Sequence, residues 1–504
     1  MKKMKSLTGT VVTMLAAGMV LAGCAKSTDP AKDAAVNDAS KNNTNLSPYE
    51  VAIVFRGPSQ KDLKAVEEEM SKITKEKMNA TIKLVSIDSA AWEQQSTLMV
   101  TANEKVDLIY TRAQNYSSQV SKSQLLPLDD LLNKSGQGIL KAVDPEILAA
   151  TKVKGKTYGV PSIRDFASFG GIVMRKDLLD KYQIDAGKIK TLDDLDAVFK
   201  AIKEGEPNLT LLGPHLAGTS PIEYYNLGMM DNLGDDFGVL TNLEELKVVN
   251  WYETPQYSEV LKKMRKWYQA GYISKDAATS KETGYDLIKA NKGFSVIVKG
   301  KPGIESQVSE LTRQPMVSVE LTPSIATTRS VTGTMFSITQ NSQNPERAMM
   351  VLNLLYSDKQ LVNLLAWGIE GKHYVKKSEN VIDYPSGVDA KNSGYNLRQG
   401  WMFGNQLLNY LWANEDPEIW NKMDKFNKGS KKSKALGFTF STDPVKTEVA
   451  AVTNVVNQYK IGLETGTIDP EVNLPKFIAA LKAAGIDKIV AEKQKQLDEW
   501  AKSK

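Results

Sequence analysis

The chain of 504 residues balances 64 Lys and Arg against 59 Asp and Glu, for a net charge of +5, and holds only two His and one Cys. A balance this close gives no electrostatic footprint for nucleic acid. A single thiol excludes an internal disulfide, and so few soft donors leave metal or thiol chemistry little to work with.

At the amino end, Lys2, Lys3 and Lys5 form a short cationic start, and residues 6–25 then carry no charge. This is the layout of a secretory leader. Interrupted by Thr8, Thr10 and Thr13, the run is too short to make a permanent membrane span. The only cysteine, Cys24, follows Leu21, Ala22 and Gly23 where the chain turns polar, so it has no apolar surroundings in which to bury as a core thiol would. The stretch resembles the lipobox of bacterial lipoproteins. That resemblance implies a signal peptide over 1–23, cleavage before Cys24, a lipidated thiol, usually with an acylated new amino terminus, and anchoring outside the cytoplasmic membrane. Residues 25–47 hold Ala, Lys, Asp, Asn, Ser and Thr, with only Val36 and Leu46 as larger aliphatics. Such a segment buries too little apolar surface to offset its ordering entropy, so 24–47 reads as a lipidated tether.

The body begins with "VAIVF" (51–55), a buried-strand pattern. Ser59 is placed to cap a helix through Leu63, Val66, Met70 and Ile73, and "TIKLV" (81–85) follows as a strand. A helix through Trp92, Leu98 and Met99 then leads to "VDLIY" (106–110). Alternating strands and helices predict a largely parallel sheet covered on both faces, with ligands held beyond the carboxyl ends of the strands. The loops 56–60 and 111–116 sit at those ends.

A second unit is expected after "GKTYGVPSIRDF" (155–166). It contains the strand "GIVM" (171–174), a helix over 191–204 opened by Thr191 and Asp194, and a helix from Pro255 with Val260, Leu261, Met264 and Trp267 on one face. Strands at 294–298 and 316–321 and a helix capped by Asn344 follow, and from about 444 the chain is helical. Trp251 and Trp267 have apolar neighbours and read as core.

His215 and His373 lie in no metal or catalytic pattern, and no GxSxG elbow, Walker loop or GxGxxG occurs. Asp129 and Asp130 are explained as the first turn of a helix. Two distant carboxylates leave no motif, so an extracellular glycoside hydrolase stays open as an alternative.

Several stretches, in order, carry a resemblance: "VDLIYTRAQNYSSQVSKSQLLPLDDLL", "KGKTYGVPS", "GGIVMRKDLLDKYQID", "NPERAMMVLNLLYSD" and "GIDKIVAEKQKQLDEW". They resemble the bacterial extracellular solute-binding proteins of ABC importers, family 1 type. "LLAWGIEGKHYV", "YNLRQGWMFGN" and "KALGFTFSTDPVKTEVAA" are similar to the lipoprotein subgroup with a carboxyl-terminal extension of unassigned role. The resemblance implies an α/β fold: a two-lobed, periplasmic-binding-protein-like clamp of type II, with parallel-rich sheets flanked by helices and a cleft between the lobes. It implies binding of a carbohydrate, an oligosaccharide above all, and delivery to importer permease subunits. A peptide or other solute is the alternative cargo. No enzyme activity, cofactor, metal or nucleic-acid partner is expected, and the protein should act as a monomer.

The lobes are expected over 48–164 with 319–340, and over 165–318 with 341–504. The crossings near 162–166, 320–324 and 338–344 are the hinge candidates. A sugar offers apolar ring faces and clusters of hydroxyls, which call for aromatic platforms and planar polar groups. By position after strands, the candidates are Arg56, Arg112, Asn115 and Tyr116 from the first lobe, with Arg164 and Asp165 near the first crossing. The family order adds Tyr224, Tyr225 and Phe438 as stacking residues, and Trp401, Asn405 and Glu370, beside Trp367, complete the set.

Overall fold

The computed structural model describes residues 46–504; the leader, Cys24 and nearly all of the tether lie outside the described residues. Nine strands build two sheets. They are β1 (Tyr49–Arg56), β2 (Ala80–Ile87), β3 (Leu108–Thr111), β4 (Val160–Pro161), β5 (Phe169–Arg175), β6 (Thr210–Gly213), β7 (Gly293–Gly300), β8 (Met316–Glu320) and β9 (Met335–Ile338).

The first sheet has the order β2-β1-β3-β9-β4. Its first three strands are parallel, and β9 runs antiparallel to both β3 and β4. Val51, Ile53, Val54 and Phe55 of β1 are buried on both faces, as a central strand requires. The helix Leu63–Met78 covers the outer edge of β2: Glu67 and Ser71 accept hydrogen bonds from the amides of Leu84 and Ile82, at 2.7 and 2.9 Å. That satisfies donors an edge strand would otherwise expose. A buried carboxylate ties the opening strands together, since Asp107 accepts from Ala52 N at 2.9 Å, Tyr49 Oη at 2.6 Å and Ser342 Oγ at 2.5 Å. Burial, then Asp107, pushes the Tyr49 hydroxyl up to about 12.

The second sheet has the order β8-β5-β7-β6, with β5 antiparallel to β7 and β8 and only β6–β7 parallel. Apolar residues alternate between its faces. Ile172, Met174, Phe294 and Ile297 pack with Trp267 and Phe199, while Val173, Val296 and Val298 face Val308. Trp267 is fully buried and donates Nε1–H to Asp196 at 2.6 Å. Both tryptophans read as core, 251 and 267, are core.

The carboxyl-terminal helices Lys446–Glu464, Pro470–Ala483 and Ile486–Lys502 share a core with Trp251, Tyr252, Tyr257 and Leu261. Phe477 meets Tyr252 edge-on at 4.9 Å. Lys493, sealed from solvent, donates to Asp235 at 2.6 Å and to the Gly238 carbonyl at 2.9 Å.

Lobe membership differs from the expectation in one segment. The helices Pro345–Ser357 and Lys359–Trp367, with Tyr395, Leu397, Met402 and Phe403, pack in the first core and not the second. Met349, Val351, Leu352 and Leu355 find their apolar partners there, so 338–344 is internal to the first lobe and the third crossing lies beyond residue 412, through the helix Ile419–Gly429. Ser59 does not cap the first helix, which begins at Leu63 after Asp62.

If the extension folds as part of the second lobe, Phe477→Ala should lower stability by roughly 3–5 kcal/mol. Urea denaturation followed by near-UV circular dichroism checks this; a loss below about 1 kcal/mol would show the extension docked loosely.

Candidate functional site

The chain leaves the first sheet after β4 and enters the second at β5, and the crossing between them is bonded to both other crossings. Ile163 N donates to Gly404 O at 2.7 Å and Ser168 N to Ile325 O at 3.0 Å. Ser330 Oγ donates to Phe166 O at 2.6 Å. Asn427, on the helix Ile419–Gly429, accepts from Phe166 N at 2.9 Å and donates to Arg164 O at 2.6 Å. These bonds hold Arg164 and Asp165 at the junction of the lobes.

Asp165 is 3 % exposed, and its Oδ1 receives both Nε and Nη2 of Arg164 at 2.7 Å. Lys301, just past β7, stands 3.7 Å from the same oxygen. The Arg164 guanidinium lies 5.1 Å from the ring centroid of Trp401, a residue packed on the first core. The junction therefore links an aromatic of the first lobe, through Arg164 and Asp165 of the crossing, to Lys301 of the second. Burial works to raise the Asp165 carboxyl, but Lys301, Arg164 and Lys299 outweigh it and hold the group at about 2. Burial pushes the Lys299 and Lys301 ammonium groups down, and Asp165 opposes that in both.

Aromatic surfaces flank the cluster. Phe169, the first residue of β5, meets Phe426 edge-on at 6.0 Å, and Gly300 opposite leaves room for its ring, which any Cβ there would strike. His215 contacts Tyr224 at 4.7 Å and Tyr285 at 5.4 Å, and burial pushes its imidazole below the ordinary histidine range. From the first lobe, Arg56 ends β1 and is followed by Gly57, where a Cβ would come within 2.9 Å of Gln399 Oε1. Arg56 Nε and Gln399 Oε1 are buried without a hydrogen-bond partner.

The structure thus brings Arg164, Asp165 and Trp401 into one cluster, places Asn405 close by and Arg56 at the end of β1, and sets Tyr224 beside β7. Asn405 supports the crossing: its side chain caps the turn Gln406–Leu408, and its neighbours bond Ile163. Arg112 and Asn115 both engage Glu93 in a groove between the helices Trp92–Thr101 and Ala113–Ser121. Tyr225, like Tyr224, packs partly buried against the second core.

Two aromatic site candidates require correction, Tyr116 chosen by its position after a strand and Phe438 as a stacking residue. Tyr116 is buried in the first core, where its hydroxyl donates to Thr151 O at 2.6 Å and accepts from Tyr158 N at 3.0 Å. Phe438 is buried against Trp500, in a cluster of the extension. Neither ring has a free face. Glu370 pairs with Lys376 at 2.9 Å beside the small three-stranded sheet, with no contact to the Arg164 cluster. Lys299, Lys301, Phe169 and Asn427 were not singled out from the sequence. "KGK" at the end of the apolar run "FSVIV" was a usable sign for the two lysines, by the same end-of-strand rule that gave Arg56.

Two cores joined by three crossings, with aromatic and ionic groups from both meeting at the junction, define a two-lobed binding clamp. Residues 57–361 match the model of the bacterial extracellular solute-binding protein family, and the chain belongs to that family, whose members bind solutes and are not enzymes. Residues 434–502 match a domain of unknown function. A carbohydrate ABC transporter substrate-binding protein of Streptococcus pneumoniae is 31% identical over 498 residues, 98% of this chain and 97% of that one. The crystal structure of an N-glycan transport solute binding protein from Streptococcus pneumoniae superposes with a TM-score of 0.80 at 28% identity, covering 90% of this chain and 99% of that one. The same protein in complex with Man5GlcNAc gives 0.66 at 29% identity, with 91% and 99% covered.

A carboxylate held below its unfolded value stabilises the fold at pH above about 4 and loses that contribution as pH falls toward 2. Asp165→Asn should therefore lower stability at pH 7 by on the order of 2 kcal/mol and flatten the acid limb between about pH 4 and 2. Urea denaturation across that range reads both effects, and an acid limb matching the parent's would show that Asp165 carries none of it.

Proposed function

We propose that this protein is the solute-binding component of an ABC importer, gripping an oligosaccharide in the cleft between its lobes and passing it unaltered to the permease. The observation that carries the reading is the Trp401–Arg164–Asp165–Lys301 chain, which sets an aromatic face from one lobe against hydrogen-bonding ions at the entry to the other. Sugar rings stack on aromatic faces through their C–H surfaces, and planar charged groups bond pairs of hydroxyls. Arg56, Arg164, Asp165, Tyr224 and Trp401 are the ligand contacts of this reading.

Two comparisons support it. The relative that spans nearly the whole chain is a carbohydrate transporter component, and the structural neighbour binds N-glycans. The likeness to that neighbour falls from 0.80 to 0.66 when its sugar is bound, at almost the same coverage, which is the behaviour of lobes that change their disposition around a ligand.

The reading includes a lipid anchor. Cleavage before Cys24 and acylation of its thiol would hold the body at the outer face of the cell membrane, near the permease, with the polar residues 25–47 as tether.

Intrinsic tryptophan fluorescence should change saturably when oligosaccharides are added, with no released sugar on chromatography. Trp401→Ala should weaken binding about 10- to 100-fold; binding unaltered by that change, or product formed with turnover, would overturn the assignment. Cys24→Ala should move the protein out of the membrane fraction and abolish incorporation of labelled palmitate. Retention in the membrane with full labelling would place the anchor elsewhere.

A further inference from the structure

Three cations converge on Asp165, and the carboxylate serves only one of them fully. Arg164 takes Oδ1 with two nitrogens at 2.7 Å. Lys301 stands off at 3.7 Å, and Lys299 makes no ion pair or hydrogen bond among the described residues. Both lysines are largely covered by protein yet retain part of their surface to solvent. Ammonium groups withdrawn from bulk water without a full set of acceptors favour an incoming anion.

The register explains why they stand together. Lys299 pairs with Gly170 across β5 and β7, and side chains of directly opposed residues share a face. Gly170 contributes no side chain there, and a Cβ at that position would come within 2.8 Å of Tyr224 O. Lys299 is thus left beside the backbone of the helix Glu223–Gly228, and Lys301 lies two residues further along the same strand direction. Arg329, on the helix Thr328–Val331, adds to the positive field at Lys299.

We propose that the cleft contains a subsite for an anionic group on the bound glycan, a uronate carboxylate or a sulfate ester, received by Lys299 and Lys301 next to Trp401 and Tyr224. The subsite rests on the carbohydrate reading above and adds a charge requirement to it. The charge of Arg164 is balanced by Asp165, even where its remaining N–H groups meet hydroxyls, which leaves the two lysines, as compact point charges, to meet either kind of anion.

The test uses the full-length protein in detergent on a glycan array with neutral, uronate-bearing, sialylated and sulfated members, followed by calorimetry on matched pairs. Acidic members should dominate. Methyl-esterification of a bound uronide, or desulfation of a bound sulfated glycan, should weaken binding at least tenfold, about 1.4 kcal/mol, and whichever treatment does so identifies the anion. Added NaCl should weaken the acid far more than its neutral counterpart. Lys299→Gln with Lys301→Gln should bring the acid-to-neutral ratio to within about twofold, whereas Lys72→Gln, on an exposed helix face, should leave it intact. Neutral glycans binding as tightly as acidic ones would overturn the subsite and leave the carbohydrate reading standing. An acid preference that survives in the double variant would overturn the assignment to these lysines. Binding of no glycan at all would overturn both.

Discussion

The organisation of this protein depends on a charged pair buried where the chain passes from one core to the other. Asp165 has almost no solvent to stabilise it, and an uncompensated carboxylate there would be unfavourable by several kcal/mol. Its compensation comes from different parts of the chain: Arg164 from the crossing itself and Lys301 from the end of β7. Asn427 on the third crossing then fixes the backbone on both sides, at Arg164 O and Phe166 N. Arg164 meets the charge from within the crossing, and Lys301 adds to that compensation only where the end of β7 reaches the same oxygen. A local electrostatic requirement thereby becomes a constraint on how the lobes meet.

The carboxyl-terminal extension enters this arrangement from the second lobe. It is no appendage, because Tyr252, Tyr257 and Leu261 would be exposed without Phe477, Leu481 and Ile489. Its buried polar groups are matched by groups of the 220–260 region: Lys493 by Asp235, Lys460 by Asp236, and Glu464 by the hydroxyl of Tyr257. Burial raises the Glu464 carboxyl, and Lys460 opposes that shift. The extension also reaches the first lobe. Leu436 packs in the first core, and Lys432, just before the extension, pairs with Glu146 at 2.5 Å.

Much of this was legible from residue order. The strand patterns at 51–55, 81–85 and 106–110 became β1, β2 and β3, with modest shifts at the ends. Asn344 caps its helix through a bond to the amide of Arg347, and Thr191 and Asp194 bond reciprocally. These features are local, and local chemistry decides them. Lobe membership was less accessible. The pattern in 345–367 announces apolar helices but is silent on which sheet they cover, since either core would bury the same methyl groups. Tyr116 misled for a related reason: it follows a strand end, yet its hydroxyl finds two backbone partners inside the lobe. Position relative to a strand indicates where a loop lies. It does not indicate which way each side chain turns.

The energetics of closure follow from what holds the lobes apart from the hinge. Arg398 lies in a segment packed on the first lobe, where Asn396 N donates to Gln60 at 2.7 Å, and it reaches Glu310 on the second-lobe helix Ile304–Thr312 at 3.1 Å. That pair is 37 % and 65 % exposed, so it contributes at most about 1 kcal/mol. Moving a clamp from 1:99 to 99:1 takes about 5.5 kcal/mol of differential affinity. A surface pair cannot supply that difference, and a ligand held by one lobe alone would supply none of it, because its contacts would be equal in both states. The shift must come from contacts completed only when both lobes close on the same molecule, which in the proposed reading are those of Trp401 and the Lys301 side of the junction. The buried ion cluster secures the junction of the two cores, and in the proposed reading its lysines also meet the ligand.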